Sequence, residues 1–209
     1  KKSLSIYIHI PFCRARCGYC DFNTYAGLDH LIDEYIDAVV KEIIRFSKGF
    51  ASDHIVHTIY FGGGTPTILP TEAFQRILSA IHTHFQVSER AEISSEANPE
   101  NLGLKYMKGL QLAGVNRLSI GMQSAVENEL NILGRVQKLT DVKTAVENVN
   151  TAGINNINLD LIFGIPTQTM ETLKISLDTA VALTPTHLSI YGLLLGGQTQ
   201  LSKNIQSRR

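Results

Sequence analysis

Ile10-Pro11-Phe12-Cys13-Arg14-Ala15-Arg16-Cys17-Gly18-Tyr19-Cys20 holds all three cysteines of this 209-residue chain. It follows directly on an apolar, β-rich run over residues 4–10, so the thiols sit in a loop at the carboxyl end of a first strand. Three thiolates spaced Cys-x-x-x-Cys-x-x-Cys leave one metal position open. A structural zinc site closes its tetrahedron with four protein ligands, whereas a 4Fe–4S cluster on three cysteines keeps one iron free for another ligand. The plainer readings are buried structural thiols or a partial zinc knuckle, for which only His9 and His30 lie nearby as a fourth ligand. Tyr19, between the last two cysteines, favours the cluster, because an aromatic ring there shields it and faces its ligand.

Outward from this loop, short β-rich runs alternate with helical patterns. Ile32, Ile36, Val39, Val40, Ile43 and Ile44 share one helical face, and a strand is expected at 58–61. Phe74, Ile77, Leu78 and Ile81 mark a second helix with Thr71 as its N-cap; a strand at 91–95, a helix at about 101–113 and a strand at 117–120 follow. A helical region over 125–152 is broken near Gly134, restarts at Thr140 and stops at Gly153. A strand at 157–162, a helix at 169–182 and a strand at 187–191 complete six βα-type units.

Repeated βα units imply a parallel sheet covered by helices, either doubly wound and open or closed as a barrel. The unusual polar residues choose between them. Cys13 to Cys20, Gly62-Gly63-Gly64-Thr65-Pro66, Glu96, Gln123 and Asp160 all follow strands. In a barrel such loops converge on one mouth, whereas an open sheet scatters several of them. Six units fall short of eight, so the expected fold is α/β, an incomplete (β/α)6 TIM-like barrel whose open side is covered by something else.

The composition narrows the class. Hydrophobic residues make up 44% and charged residues 18%, ordinary values for a globular domain. Nineteen basic residues balance nineteen acidic ones, so no global field favours nucleic acid or an anionic membrane. No apolar run approaches the roughly 20 residues that span a bilayer, and no transmembrane segment or nucleic-acid partner is expected. Three clustered cysteines suit a reducing compartment, which predicts a cytoplasmic protein. The chain lacks an initiator Met and ends in a polar, aperiodic stretch over 198–209, as a piece of a longer protein would.

The glycine run brings backbone close to a polar ligand, such as a group with both amine and carboxylate. It is not a Walker loop, because no Lys-Ser/Thr follows it. On this reading Gly64→Val obstructs the ligand while iron is retained. Glu96, Gln123, Arg135 and Asp160 are each unremarkable alone, but a shared mouth makes them a set. Glu96 and Asp160 end apolar strands, where a carboxylate needs a partner such as a ribose diol or an arginine.

With these motifs assembled, the chain resembles the radical S-adenosylmethionine (SAM) enzymes, and among them the oxygen-independent coproporphyrinogen III oxidase-like branch. The resemblance runs from Ser5 to about Leu194. It is carried by Tyr7-Ile8-His9-Ile10-Pro11-Phe12-Cys13, Cys17-Gly18-Tyr19-Cys20-Asp21-Phe22, the stretch 61–66, Glu96-Ala97-Asn98-Pro99, Asn116-Arg117-Leu118-Ser119-Ile120-Gly121-Met122-Gln123-Ser124, Leu133-Gly134-Arg135 and Asn158-Leu159-Asp160-Leu161-Ile162-Phe163-Gly164-Ile165-Pro166. It implies that Cys13, Cys17 and Cys20 ligate the cluster and that SAM chelates the free iron. Tyr7, Tyr19, Gly63, Gly64 and Thr65 match positions that contact SAM, Glu96 the ribose-binding carboxylate, and Gln123, Arg135 and Asp160 the remaining polar wall, with Leu194 at its edge. The implied chemistry is one-electron reduction of the cluster and reductive cleavage of SAM to methionine and a 5′-deoxyadenosyl radical.

One departure decides the subgroup. The oxidases of this branch carry a further cysteine two residues after the third, and here that place is Phe22. The Tyr-Cys-Asp-Phe-Asn and Ile-Gly-Met-Gln-Ser runs look instead like the heme chaperones of the HemW group, which bind heme as cargo and pass it to acceptor proteins. Three functions are therefore weighed: a heme chaperone retaining a radical SAM site, a decarboxylating coproporphyrinogen III dehydrogenase, and an interaction module with a purely structural cluster. Phe22 argues against the second, and Tyr7, Glu96, Gln123 and Asp160 against the third. The implied partners are SAM, heme, a heme-accepting protein and an electron donor such as a flavodoxin or ferredoxin. The expected organisation is a radical SAM core over 1–195 and an irregular tail over 196–209, with the family's C-terminal domain absent.

Overall fold

The computed structural model describes residues 1–207, Phe50 by its backbone alone. Six strands, β1 (Lys2–Ile10), β2 (His54–Gly63), β3 (Val87–Ala97), β4 (Arg117–Gln123), β5 (Asn156–Phe163) and β6 (His187–Gly192), form one sheet in which each pairs in parallel with the next. Strand order equals chain order, with no reversal. A doubly wound sheet needs a switch point where the order turns back, so this sheet is wound in one sense only and curls into a half-barrel.

The helices are α1 (Ile32–Phe50), α2 (Thr71–His84), α3 (Leu104–Ala113), α4 (Glu127–Leu133), α5 (Leu139–Thr151), α6 (Met170–Ala182) and α7 (Gln200–Gln206). Their apolar faces meet alternate residues of the strands. Ile8 and Ile10, Ile59 and Phe61, Ile93, Leu118 and Ile120, Leu159 and Leu161 pack with Ile36, Ile43, Phe74, Ile77, Met107, Leu110, Val146 and Val149 in one core. Each such side chain contributes about 1.5–3 kcal/mol on burial, and Phe61 adds a tilted ring contact with Phe74 at 4.8 Å between ring centroids.

The other residue of each strand faces the concave side, and there the chain is polar. By register Tyr7 lies beside Tyr60, Tyr60 beside Ser94, Glu96 beside Ser119, Ser119 beside Asn158 and Asp160 beside Ser189. Continuous apolar strands would fill a closed barrel; this alternation leaves a half-barrel whose inner wall is built to meet something polar.

Several local expectations are corrected. Thr71 does not cap α2. It is the first helical residue, with Pro70 at the cap, and its methyl group lies over Gly109 of α3, where a Cβ would come within 2.7 Å. Thr169 does cap α6, accepting from the Thr172 amide at 3.2 Å. The helix expected from 101 begins at Leu104, because Pro99–Asn101 forms a separate 3₁₀ turn. The tail expected to be irregular contains α7, capped by Thr199. Its only large apolar residues, Leu201 and Ile205, are one turn apart and pack on Leu133, Ile162 and Ile165, too sparse a pattern to read without its partner surface. Among the described residues no helix is long and apolar enough to cross a membrane.

Candidate functional site

The cysteine loop leaves β1 at Ile10 and is pinned at three places. Phe12 and Cys13 pair in parallel with Tyr25 and Ala26, the Cys20 amide closes a turn on the Cys17 carbonyl at 3.1 Å, and Gly18 is held on both sides. Its amide donates to the Leu133 carbonyl at the end of α4 (3.1 Å), and its carbonyl accepts from Leu201 of α7 (2.8 Å). All three thiols are free; Cys13 is buried and the other two are partly exposed. Burial pushes the Cys13 thiol up and a hydrogen bond from Thr65 opposes it, while the other two cysteines' charges add to the rise.

Among the described residues no three His, Cys, Asp or Glu converge on a point that would hold one metal ion. A single zinc would draw its thiolates to about 3.8 Å from one another, but a cubane gives each cysteine its own iron and needs no such convergence. The Thr65 and Thr24 hydroxyls both bear on the buried Cys13 sulfur and favour its thiolate, the form in which a cysteine holds iron. The donor set fits a 4Fe–4S cluster.

Arg135 ties this loop to the sheet. Gly134, at a left-handed φ of 71°, ends α4 and turns the chain so that Arg135 points under the mouth. Its Nη1 donates to Cys17 Sγ at 3.3 Å, and its Nη2 donates to Asn98 Oδ1 at 2.9 Å and the Gly121 carbonyl at 3.2 Å. Its Nε donates to Gln137 Oε1 at 2.8 Å. Gln137 is buried and donates in turn to the carbonyls of Gly121 and Met122, both at 2.8 Å, so it fixes Arg135 to the end of β4. Asn98 also donates to Thr65 Oγ1 at 3.3 Å, and Thr65 donates to Cys13 Sγ at 3.7 Å.

Two carboxylates stand on the concave wall below. Glu96 accepts from the Tyr60 hydroxyl at 2.9 Å and the Gly63 amide at 3.1 Å. Burial raises its pKa against the pull of these bonds. Asp160 accepts from Ser119 at 2.8 Å and Asn158 at 2.7 Å, and burial raises it too. Both therefore gain from a ligand that brings positive charge or hydroxyl donors, as the sulfonium and ribose of SAM would.

The glycine run has a second cause besides ligand approach. A Cβ on Gly64 would lie 2.5 Å from the Phe12 carbonyl, and one on Gly63, at φ 114°, 2.5 Å from the His9 ring. Protein already fills those spaces, so Gly64→Val is expected to displace the cysteine loop rather than obstruct the ligand alone.

The remaining candidates spread along the wall. Tyr7 lies deeper on β1, stacked on Tyr60 at 6.2 Å. It donates to His9 Nδ1 at 3.0 Å, since His9 Nε2 spends its proton on the Asn23 carbonyl. Tyr19 is largely enclosed against Leu133 and Ile162, and burial raises its phenol pKa. Gln123 closes β4 with φ 63°, a left-handed conformation rare outside glycine, and its amide lies against Gly121. Leu194, 86% exposed in the loop after β6, is drawn into none of these contacts. Sequence reasoning did not single out Tyr60, Ser119, Gln137 or Asn158. Their signal was register: Ser119 and Asn158 lie two residues before Gly121 and Asp160, on the same face of their strands.

The family profile described as the radical SAM superfamily matches residues 7–180. The chain is 41% identical over 207 residues to a protein of Bacillus subtilis (strain 168) named heme chaperone HemW, covering 98% of this chain and 54% of that protein. A heme chaperone HemW of Escherichia coli (strain K12) is 38% identical over 199 residues, covering 94% and 52%. The chain thus spans about half the length of the curated relatives it matches. Among solved structures, the coproporphyrinogen III oxidase HemN of Escherichia coli superposes with a TM-score of 0.89 at 30% identity, over 97% of this chain and 47% of the oxidase.

Proposed function

This chain belongs to the radical SAM superfamily, and we propose that it is the cluster- and SAM-binding part of a heme chaperone that passes heme to acceptor proteins. Phe22 carries the choice between chaperone and oxidase. It lies two residues beyond the last cysteine, 63% exposed at the surface of the cluster loop, and an apolar ring supplies neither the acid–base nor the redox chemistry of a thiol. The relatives named as heme chaperones favour the same reading. The second reading, a coproporphyrinogen III dehydrogenase, is favoured by the backbone match to the oxidase.

When bound, the cluster supplies the electron that cleaves the sulfonium of SAM. In this proposal Cys13, Cys17 and Cys20 hold the cluster, while Arg135 sets the orientation of Cys17 from its anchor on Gln137. Glu96 and Asp160 take the ribose hydroxyls and the positive charge of SAM. The left-handed Gly63 turn offers backbone to its amine and carboxylate, with Gly64, Thr65, Tyr7, Tyr19, Gln123 and Leu194 as further contacts. A one-electron donor protein, flavodoxin- or ferredoxin-like, and a cytoplasmic location complete the reading. Anaerobically reconstituted full-length protein should bind heme and leave coproporphyrinogen III unchanged. Conversion to protoporphyrinogen IX with proportionate SAM consumption would establish the dehydrogenase instead.

A further inference from the structure

We propose that Asn98 is a positioning residue that directs hydrogen-bond donors onto the sulfurs of two cysteines at once, and thereby raises the reduction potential of the cluster they hold. The proposal rests on the reading of Cys13 and Cys17 as cluster ligands. It assigns Asn98 a role toward the cluster sulfurs, apart from any contact with SAM.

The argument runs on the direction of each hydrogen bond. A guanidinium can only donate, so the atom of Asn98 that faces Arg135 Nη2 at 2.9 Å is the carbonyl oxygen. This fixes the amide, and its NH₂ group must face Thr65 Oγ1 at 3.3 Å. Thr65 Oγ1 accepts there and carries a single proton. That proton is left for Cys13 Sγ at 3.7 Å. On the other side Asn98 Oδ1 and Gln137 Oε1 hold Nη2 and Nε of Arg135, which leaves Nη1 aimed at Cys17 Sγ at 3.3 Å. Asn98 therefore passes the polarity set by Arg135 on to Thr65 and holds Nη2 in place, in a chain that ends on sulfur at both ends.

The chain is buried at its Cys13 end and partly buried at Asn98, Arg135 and Cys17. Thr65 and Gln137 are buried, and Asn98 sits between the end of β3 and the Pro99–Asn101 turn. In such surroundings donors aimed at a thiolate act strongly. They favour the reduced cluster, which carries one more negative charge, over the oxidised one. The electron comes from an external one-electron reductant, and no bond is made or broken in the step.

The test is a redox titration with dithionite, followed by electron paramagnetic resonance, on reconstituted parent, Asn98→Leu, Thr65→Val and the double variant. At the potential where half the parent clusters are reduced, the ratio of reduced to oxidised cluster should fall several-fold in Thr65→Val. In Asn98→Leu it should fall roughly tenfold, which is a 59 mV drop for one electron. The ratio in the double variant should fall by less than the product of the two single falls, because the two substitutions act on a shared bond. Iron analysis accompanies each titration. Midpoints equal to the parent's in variants with full clusters overturn the proposal, and Thr65→Val alone decides it should Asn98→Leu fail to retain iron. A parent that takes up no iron and sulfide overturns the cluster reading itself, a result distinguishable from an unmoved midpoint.

Discussion

Glu96 is the residue at which burial and ligand chemistry meet most directly. Its carboxylate already accepts from Tyr60 and Gly63, yet burial keeps its pKa above the ordinary carboxylate value. Between the unfolded and the folded pKa the folded protein therefore holds a proton there that the unfolded chain has released. Without ligand, the stability contributed by this group is present below the unfolded pKa and is lost as pH rises through the folded pKa. A cationic ligand reverses the preference, so SAM binding should release protons and tighten as pH rises through that window. Glu96→Gln is expected to weaken SAM binding by about 1–3 kcal/mol, the cost of a lost hydrogen bond to a charged group. It should also leave a shallower pH dependence, carried by Asp160 alone. Calorimetry in two buffers of different ionisation enthalpy measures both effects, and an unchanged affinity would remove Glu96 from the site.

At the scale of elements, the seam between the ends of β1 and β2 governs the cysteine loop. Gly64 donates to the Ile10 carbonyl at 2.7 Å and Thr65 to the Phe12 carbonyl at 2.8 Å, so the exit of β2 is laced to the segment that carries Cys13. A branched side chain at Gly64 has backbone within 2.5 Å and nothing flexible to push aside. Gly64→Val should therefore lose iron and SAM binding together, read as iron per chain after reconstitution beside SAM affinity. Retention of full iron with loss of SAM alone would return the glycine to a purely ligand-facing role. The loop's opposite side depends on α4 and α7, which grip Gly18 from either side.

For the molecule as a whole, core and site lie on opposite faces of one sheet. The helices bury the convex side, while the cysteines and polar wall occupy the strand ends and the concave side. Cys17→Ala should accordingly abolish the cluster, about four iron and four sulfide per chain in the parent, yet leave far-UV circular dichroism and the unfolding midpoint in urea nearly unchanged. A collapse of both would show that the loop supports the fold. The same division decides what was legible beforehand. Helical and strand periods in 32–44, 74–81 and 157–162 report burial of one face, a local property, so the six βα units and their order could be read directly, and the three clustered cysteines announced their own chemistry. The bonds of Arg135 to Cys17, of Asn98 to Thr65 and of Gln137 to Gly121 were invisible, because each joins loops and strand ends that only the folded sheet brings together. Likewise α7 shows too few apolar residues to announce itself, and Gly64 is glycine because of a carbonyl on another strand. The sequence by itself determined which elements form and which chemistry the thiols offer; the tertiary structure decided which donors face which acceptors, because that depends on distances between segments far apart in the chain.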